Sequence, residues 1–335
     1  MLKKTGKQSL VPASPPVICA SASVVGKKEG EGPLAHCFDY ISEDSYFGEK
    51  TWEEAESAML KMCFGLCCSK GRISPPDIDH IFSGDLLDQC TGSAFAMKDC
   101  GVPYFGLYGA CSTMGEAMSL AAMTIDGGFA DTVCALTSSH FCSSERQFRF
   151  PLEYGGVRTP TAQWTVTGAG AVILRNGGTG PRVTAITAGA IVDAGIKDVN
   201  NMGSAMAPAA YETLKAHFDD LGRSPDYYDL IVTGDLGALG HDTLEELFRR
   251  DGKTLGENYT DCGLLIFDRE AQDVHAGGSG CGCSASVFAS YILDGMAQKK
   301  WNKVLFAPTG ALLSPTSVQQ GRSIPGVCHA LAIEN

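Results

Sequence analysis

Apolar and polar positions alternate in a pattern that occurs twice along the chain. In the first half, Pro76-Asp-Ile-Asp-His-Ile-Phe-Ser-Gly-Asp-Leu-Leu87 reads as a turn, a short apolar run and a closing Gly-Asp-Leu. In the second half, Pro225-Asp-Tyr-Tyr-Asp-Leu-Ile-Val-Thr-Gly-Asp-Leu236 repeats it nearly position for position. A helical period precedes each copy, at residues 52–68 and 211–221, and a glycine-rich elbow follows each. The elbows lead into helices of small residues that end in Asp-Gly, at 111–126 and 279–294. Apolar runs at 132–137 and 303–307 predict buried strands, and residues 17–25 predict a first core strand. Strands alternating with helices predict a mixed or parallel sheet covered by helices. Repetition of the whole unit predicts a duplicated α/β fold with a pseudo-two-fold axis, its halves at residues 1–180 and 181–335. The two small-residue helices would then meet with their N-termini near one cavity.

The first elbow carries the most pointed chemistry. Cys111 stands in Tyr108-Gly-Ala-Cys-Ser-Thr-Met-Gly-Glu116, where an apolar strand runs into a helix. A thiol at a helix N-terminus feels the positive end of the macrodipole, which favours the nucleophilic thiolate. The competing reading is a buried structural cysteine.

Composition narrows the classes. The chain is 44% hydrophobic and 19% charged, as expected of a globular protein with a sizeable core, and its formal charge of −12 argues against nucleic acid. No stretch approaches the ~20 apolar residues of a membrane span, and Pro12, Pro15 and Pro16 interrupt the basic N-terminus before a signal-peptide core develops. Fourteen cysteines lack the paired spacing of a zinc ribbon, so reduced thiols and no metal are expected. No cofactor motif is present.

Several long words then carry a resemblance. Gly109-Ala-Cys-Ser-Thr-Met-Gly-Glu116, Glu145-Arg-Gln-Phe-Arg-Phe-Pro-Leu-Glu-Tyr154, Thr161-Ala-Gln-Trp-Thr-Val-Thr-Gly-Ala-Gly170, Asn200-Asn-Met-Gly203, His275-Ala-Gly-Gly-Ser-Gly-Cys-Gly-Cys283 and Thr309-Gly-Ala-Leu-Leu-Ser-Pro-Thr316 are similar to the stage V sporulation protein AD family. That family lies within the thiolase-like superfamily. The resemblance runs from about residue 8 to the end. It implies duplicated βαβαβ halves in a five-layered fold. It also implies a dipicolinic acid-binding component of the complex that takes dipicolinate into the developing spore. The partners implied are membrane proteins of the same sporulation operon, with the chain peripheral at the inner membrane of the spore or forespore. A homodimer through the edge strand after the nucleophile helix is expected by analogy.

A condensing enzyme needs a His–His or His–Asn pair beside its thiol. Residues 231–236, where one histidine is expected, offer Gly234 and Asp235 but no imidazole, and the asparagine position falls near Cys281. Binding is therefore expected rather than catalysis, the alternative being an acyl-transfer enzyme with Cys111 as nucleophile. A flat dianion calls for amides, cationic donors and an apolar slot. Cys111 and Ser112 at the first elbow, with Ser279 and Cys281 at the second, are the candidates for amide contacts. Arg146, with Arg149, is the cationic candidate, or else an ion pair with Glu145 or Glu153. His140, Gln163 and Asn201 are expected as polar liners, His275 as a group reaching the cavity, and Trp164 as a ring floor or a core residue. Dipicolinate bound as its calcium chelate would find loop carboxylates at Asp193, Asp198, Asp235 and Asp242, none in a recognisable cage.

Overall fold

A computed structural model describes residues 3–148 and 157–335. Its main sheet contains a path of ten strands that reads almost identically outward from its centre. On one side Val17–Gly26 is followed by Gly168–Arg175, Thr132–Ser139, His80–Gly84 and Tyr104–Gly106. On the other, Arg182–Thr187 is followed by Ala330–Glu334, Lys303–Ala307, Leu230–Thr233 and Tyr259–Asp261. Each arm makes two antiparallel pairings and then two parallel ones. The arms meet at a single antiparallel partnership, Arg182 with Val17. This is the duplication that the repeated Pro-Asp…Gly-Asp-Leu words predict, and both words form a 3-10 turn followed by a strand.

Three apolar clusters arrange these arms in five layers. Trp52–Gly71 and Thr91–Met97 cover the outer face of the first arm, burying Leu60, Cys63 and Cys67 against Ile173. Met202–Leu221 and Gly237–Arg250 cover the outer face of the second, burying Leu214 and Phe248 against Leu305. Between the arms lie Thr113–Asp126 and Cys281–Val287, with Met114, Met118 and Phe288 in one core with Val172 and Leu331. The thiolase-like α/β architecture is thus observed.

Local sequence explains these placements. Thr51 caps its helix by accepting from Glu54 N–H, and the helix stops at Arg72 in the left-handed region. The middle layer is thin because small residues fill it. A Cβ on Gly170 would lie 2.2 Å from Ala285 O, and one on Gly282 would lie 2.2 Å from Gly168 O. Only glycine lets the second central helix sit this close to its strand. The two central helices start at Thr113 and Cys281, each two residues later than expected but in the register of the repeat, and the second continues through a π-turn at Phe288–Ile292.

One expectation is corrected. The strand after the nucleophile helix, Thr132–Ser139, is interior, paired on both sides. The edge of that arm is Tyr104–Gly106. All fourteen cysteines are free, and among the described residues no helix is long and apolar enough to cross a membrane.

Candidate functional site

The two elbows converge, as the duplication requires, on a cavity of about 300 Å³. Tyr108 and Cys111 come from the first elbow, Ser279 from the second, and Ser144, Glu145 and Phe148 from the helix Phe141–Phe148. Gln163, Thr165, Asn200 and Leu313 complete its polar and apolar walls.

The first elbow is tightly bound. Ala110 sits at φ 50°, an unusual conformation for alanine, and the turn is closed by hydrogen bonds from Ser112 Oγ to Gly109 O (2.7 Å) and from Thr113 Oγ1 to Ala110 O (2.6 Å). Gly310 packs behind it, so near that a Cβ there would lie 2.3 Å from Gly109 O.

Cys111 faces a carboxyl group. Its Sγ lies 4.0 Å from Ser279 Oγ, and that hydroxyl donates to Asp235 Oδ2 at 3.0 Å. The same oxygen accepts from Gly280 N–H (3.1 Å), while Oδ1 accepts from Thr309 Oγ1 (2.9 Å). Asp235 is completely buried, and that burial pushes its carboxyl up to about 6. Burial also pushes the Cys111 thiol well above its ordinary value, and the negative charge of Asp235 pushes it further. Helix position predicts a thiolate here; burial and Asp235 outweigh the dipole, and the group is a thiol. A second buried carboxyl, Asp261, stands behind Asp235 and accepts from Thr233 Oγ1 (2.7 Å) and from the amides of Leu236 and Gly237 (2.9 and 3.0 Å). Among the described residues no histidine, lysine or arginine lines the cavity.

Gln163 is fixed by its neighbours. Its Nε2 donates to Asp235 O (2.5 Å) and Gly278 O (2.9 Å), and its Oε1 has no partner. Gly237, at φ 61°, allows the approach: a Cβ there would lie 2.9 Å from Gln163 Nε2.

A family model described as Stage V sporulation protein AD matches residues 6–334. Over 333 residues the chain is 42% identical to the Stage V sporulation protein AD of Bacillus subtilis strain 168, covering 99% of this chain and 98% of that protein. The chain belongs to the stage V sporulation protein AD family. In fold it is similar to 3-oxoacyl-[acyl-carrier-protein] synthase III of Aquifex aeolicus VF5, with a TM-score of 0.58, 12% identity, and 96% and 100% of the two chains covered. It is likewise similar to cerulenin-bound OleA of Xanthomonas campestris, with a TM-score of 0.61, 14% identity, and 100% and 98% covered. At such identities the likeness concerns the fold alone.

In this sporulation-family member the structure brings Cys111, Gln163 and Ser279 together and places the other sequence candidates elsewhere. Ser112 turns its hydroxyl back to Gly109 O. His140 is buried away from the cavity, its Nδ1 accepting from Cys142 N–H and its Nε2 against Ser45 O at 2.8 Å. A ring nitrogen that accepts from an amide leaves the other to donate, so the imidazole is neutral and structural. Arg146 pairs with Glu53 rather than facing a ligand, and Arg149 and Glu153 lie outside the described residues. Asn201 caps the helix Met202–Leu221, leaving the cavity wall to Asn200. His275 is at the surface, 3.3 Å from Asp273. Cys281 donates its thiol to Ser138 O (2.9 Å), packed against Cys111 without lining the cavity. Trp164 stacks on Phe141 (3.8 Å between centroids), under Lys28 and Arg158, rather than flooring the site.

The expectation that the elbow amides are available to a ligand is corrected for five of them. Ser112 and Thr113 N–H bond within their turn, Gly280 N–H goes to Asp235, Gly282 N–H to Ser139 Oγ, and Cys283 N–H to Gly280 O. Asp235, expected as a loop carboxylate, is instead completely buried and held by Ser279, Gly280 and Thr309; the repeated Gly-Asp-Leu word that contains it marks a buried carboxyl in both halves, Asp85 and Asp235.

Proposed function

We propose that this chain is a dipicolinic acid-binding component of the assembly that takes dipicolinate into the developing spore. It would act peripherally at the inner spore membrane, as a homodimer, beside membrane proteins of its own operon. Family membership supports the sporulation role. The observation that carries the binding reading is the pairing of Cys111 with Asp235 through Ser279. A condensing site needs an imidazole to hold and move protons and a donor to stabilise an oxyanion. Here the thiol meets a carboxyl that opposes its ionisation. What remains is a small cavity with the Tyr108 and Phe148 rings and hydroxyl and amide groups in its walls, which suits a single flat ring bearing polar substituents.

Calorimetric titration with pyridine-2,6-dicarboxylate, using pyridine-2-carboxylate as control, tests this. Saturable binding selective for the dicarboxylate is expected; no heat with folded protein sinks the reading. The acyl-transfer alternative keeps one observation in its favour, since Cys111 does line the cavity at an elbow. It requires a mass increase on incubation with acyl-thioesters that disappears in Cys111→Ala.

A further inference from the structure

Two polar atoms on residues of the cavity wall lack partners among the described residues, and they are of opposite kinds. Ser144 Oγ and Gln163 Oε1 are both buried without a hydrogen bond, in residues 1% and 6% exposed, and both residues line the cavity. Buried polar groups are almost always paired, so two orphans on residues of one cavity wall point to a ligand that pairs them.

The orientation of Gln163 decides what that ligand must present. A glutamine amide can be turned over, exchanging oxygen for nitrogen, but here both contacts of the inner atom are carbonyl oxygens, Asp235 O and Gly278 O. An amide oxygen placed against two carbonyl oxygens would be repelled by both. The nitrogen therefore holds the two carbonyls, and the oxygen of this cavity-wall residue is left as a pure acceptor. Its partner must be a donor. A fully ionised aromatic dicarboxylate has no donor, and its carboxylate would meet the amide oxygen lone pair to lone pair. Ser144 is different, because a hydroxyl donates to a carboxylate or ring nitrogen without difficulty. The titratable groups around this point are Glu145 on the Ser144 helix, Asp235 with Asp261 behind it, Cys111 and Tyr108 on the first elbow, and Cys281 on the second. None of these supplies a positive charge, and no cationic side chain lines the wall among the described residues.

Resting on the receptor reading above, we propose that the cavity takes its aromatic dicarboxylate in the singly protonated form, the acidic O–H donated to Gln163 Oε1 and a ligand acceptor held by the Ser144 hydroxyl. Gln163 is then the residue that sets specificity, and binding above the ligand's own acidic range takes up a proton. No covalent step is involved. The proton arrives from solvent and leaves with the ligand.

The full chain is titrated with pyridine-2,6-dicarboxylate at pH 6, 7 and 8 in buffers of different ionisation enthalpy. About one proton should be taken up per ligand, with Kd rising about tenfold per pH unit. The second probe is 6-carbamoylpyridine-2-carboxylate, whose amide N–H supplies the donor without a proton. It should bind with pH-independent affinity, no proton uptake, and an advantage over the dicarboxylate at pH 8. In Gln163→Met that advantage and the proton uptake should both disappear, whereas Ser144→Ala should weaken both ligands and keep the uptake. If Gln163 only supports the fold, its replacement lowers Tm and leaves the proton count unchanged. Dicarboxylate binding without proton uptake, or equal uptake with the carbamoyl ligand, overturns the inference and leaves the receptor standing. No binding of either ligand at any pH overturns both.

Discussion

Asp235 holds the Ser279 hydroxyl at 3.0 Å and so fixes it 4.0 Å from the Cys111 sulfur. The two residues come from the second half of the chain and Cys111 from the first, so the contact exists only because the duplicated halves close face to face. Its electrostatic sense is the reverse of a nucleophile's. Four donors converge on Asp235 or lie beside it: Ser279, Gly280, Thr309 and Cys111. They hold a carboxyl that would otherwise be expelled from so buried a place. Beside that carboxyl the ionisation of the Cys111 thiol is opposed.

Replacement of Asp235 by asparagine should therefore make Cys111 more reactive. Removing the negative neighbour lowers the thiol's pKa, and each unit is worth about tenfold in thiolate at fixed pH. Alkylation by iodoacetamide at pH 8, followed at the Cys111 peptide by mass spectrometry, should accelerate about tenfold in Asp235→Asn. Circular dichroism checks that the variant remains folded. An unchanged rate would mean that burial alone controls the thiol.

The elbow should be equally sensitive to what packs behind it. Gly310→Ala places a Cβ 2.3 Å from Gly109 O and 3.3 Å from Cys111 N, both backbone atoms that cannot turn aside. We expect a loss of about 1–3 kcal/mol in unfolding free energy, the range for overpacking. The same substitution at Gly101, whose Cβ would meet nothing within 4 Å but whose φ of 71° is strained for alanine, separates backbone strain from collision. Equal losses at the two positions would remove the elbow's special status.

The sequence shows the fold more plainly than the site, and the reason is physical. The repeated Pro-Asp…Gly-Asp-Leu words, the flanking helical periods and the small-residue helices all arise from burial, which leaves a periodic trace. Cavity positions have none. Arg146 and His140 look like ligands by residue type, but Glu53 and the Ser45 carbonyl claim them through contacts with residues about ninety positions away. Asn201 misses the cavity by one residue because it is needed as a cap, and Asn200 takes the wall. Gln163 was legible as a polar liner, but its orientation depends on two carbonyls of the other half.

Stability against pH should have two opposed limbs. His217 is buried between Thr187 and Tyr228, and burial lowers its pKa from 6.5 to about 3. The unfolded chain binds this proton first, so its contribution is complete above pH 6.5 and is lost as pH falls toward 3. Glu56 is buried beside Asp85, and burial raises its pKa from 4.5 to about 8. Here the folded chain keeps the proton longer, so stability is complete below pH 4.5 and declines as pH rises to about 8. Urea unfolding at successive pH values should show Glu56→Gln flattening the alkaline limb, with a gain of about 1–2 kcal/mol at pH 8. His217→Gln should flatten the acid limb at a cost of about 1–3 kcal/mol near neutrality, since its hydroxyl partners are left imperfectly paired. If both limbs persist in the variants, other groups govern the profile.

Ligand binding should follow the cavity wall rather than the residues that look most suited to a dicarboxylate. Arg146 is the obvious counter-charge by type, yet it pairs with Glu53 with its side chain nearly half exposed, and such a pair is worth at most about 1 kcal/mol to the fold. His275 is held at the surface beside Asp273. Alanine at either position should change the dicarboxylate Kd by less than about twofold. Phe148 and Ser279 are the contrary cases. Phe148→Ala removes an aromatic wall, and Ser279→Ala removes a cavity hydroxyl while freeing Asp235 to meet the ligand with one donor fewer. Each should weaken binding by about tenfold or more, roughly the loss of one good contact. The four variants measured side by side by calorimetry distinguish the cavity from the basic surface. A strong loss in Arg146→Ala with none in Phe148→Ala would move the binding site off the elbows altogether.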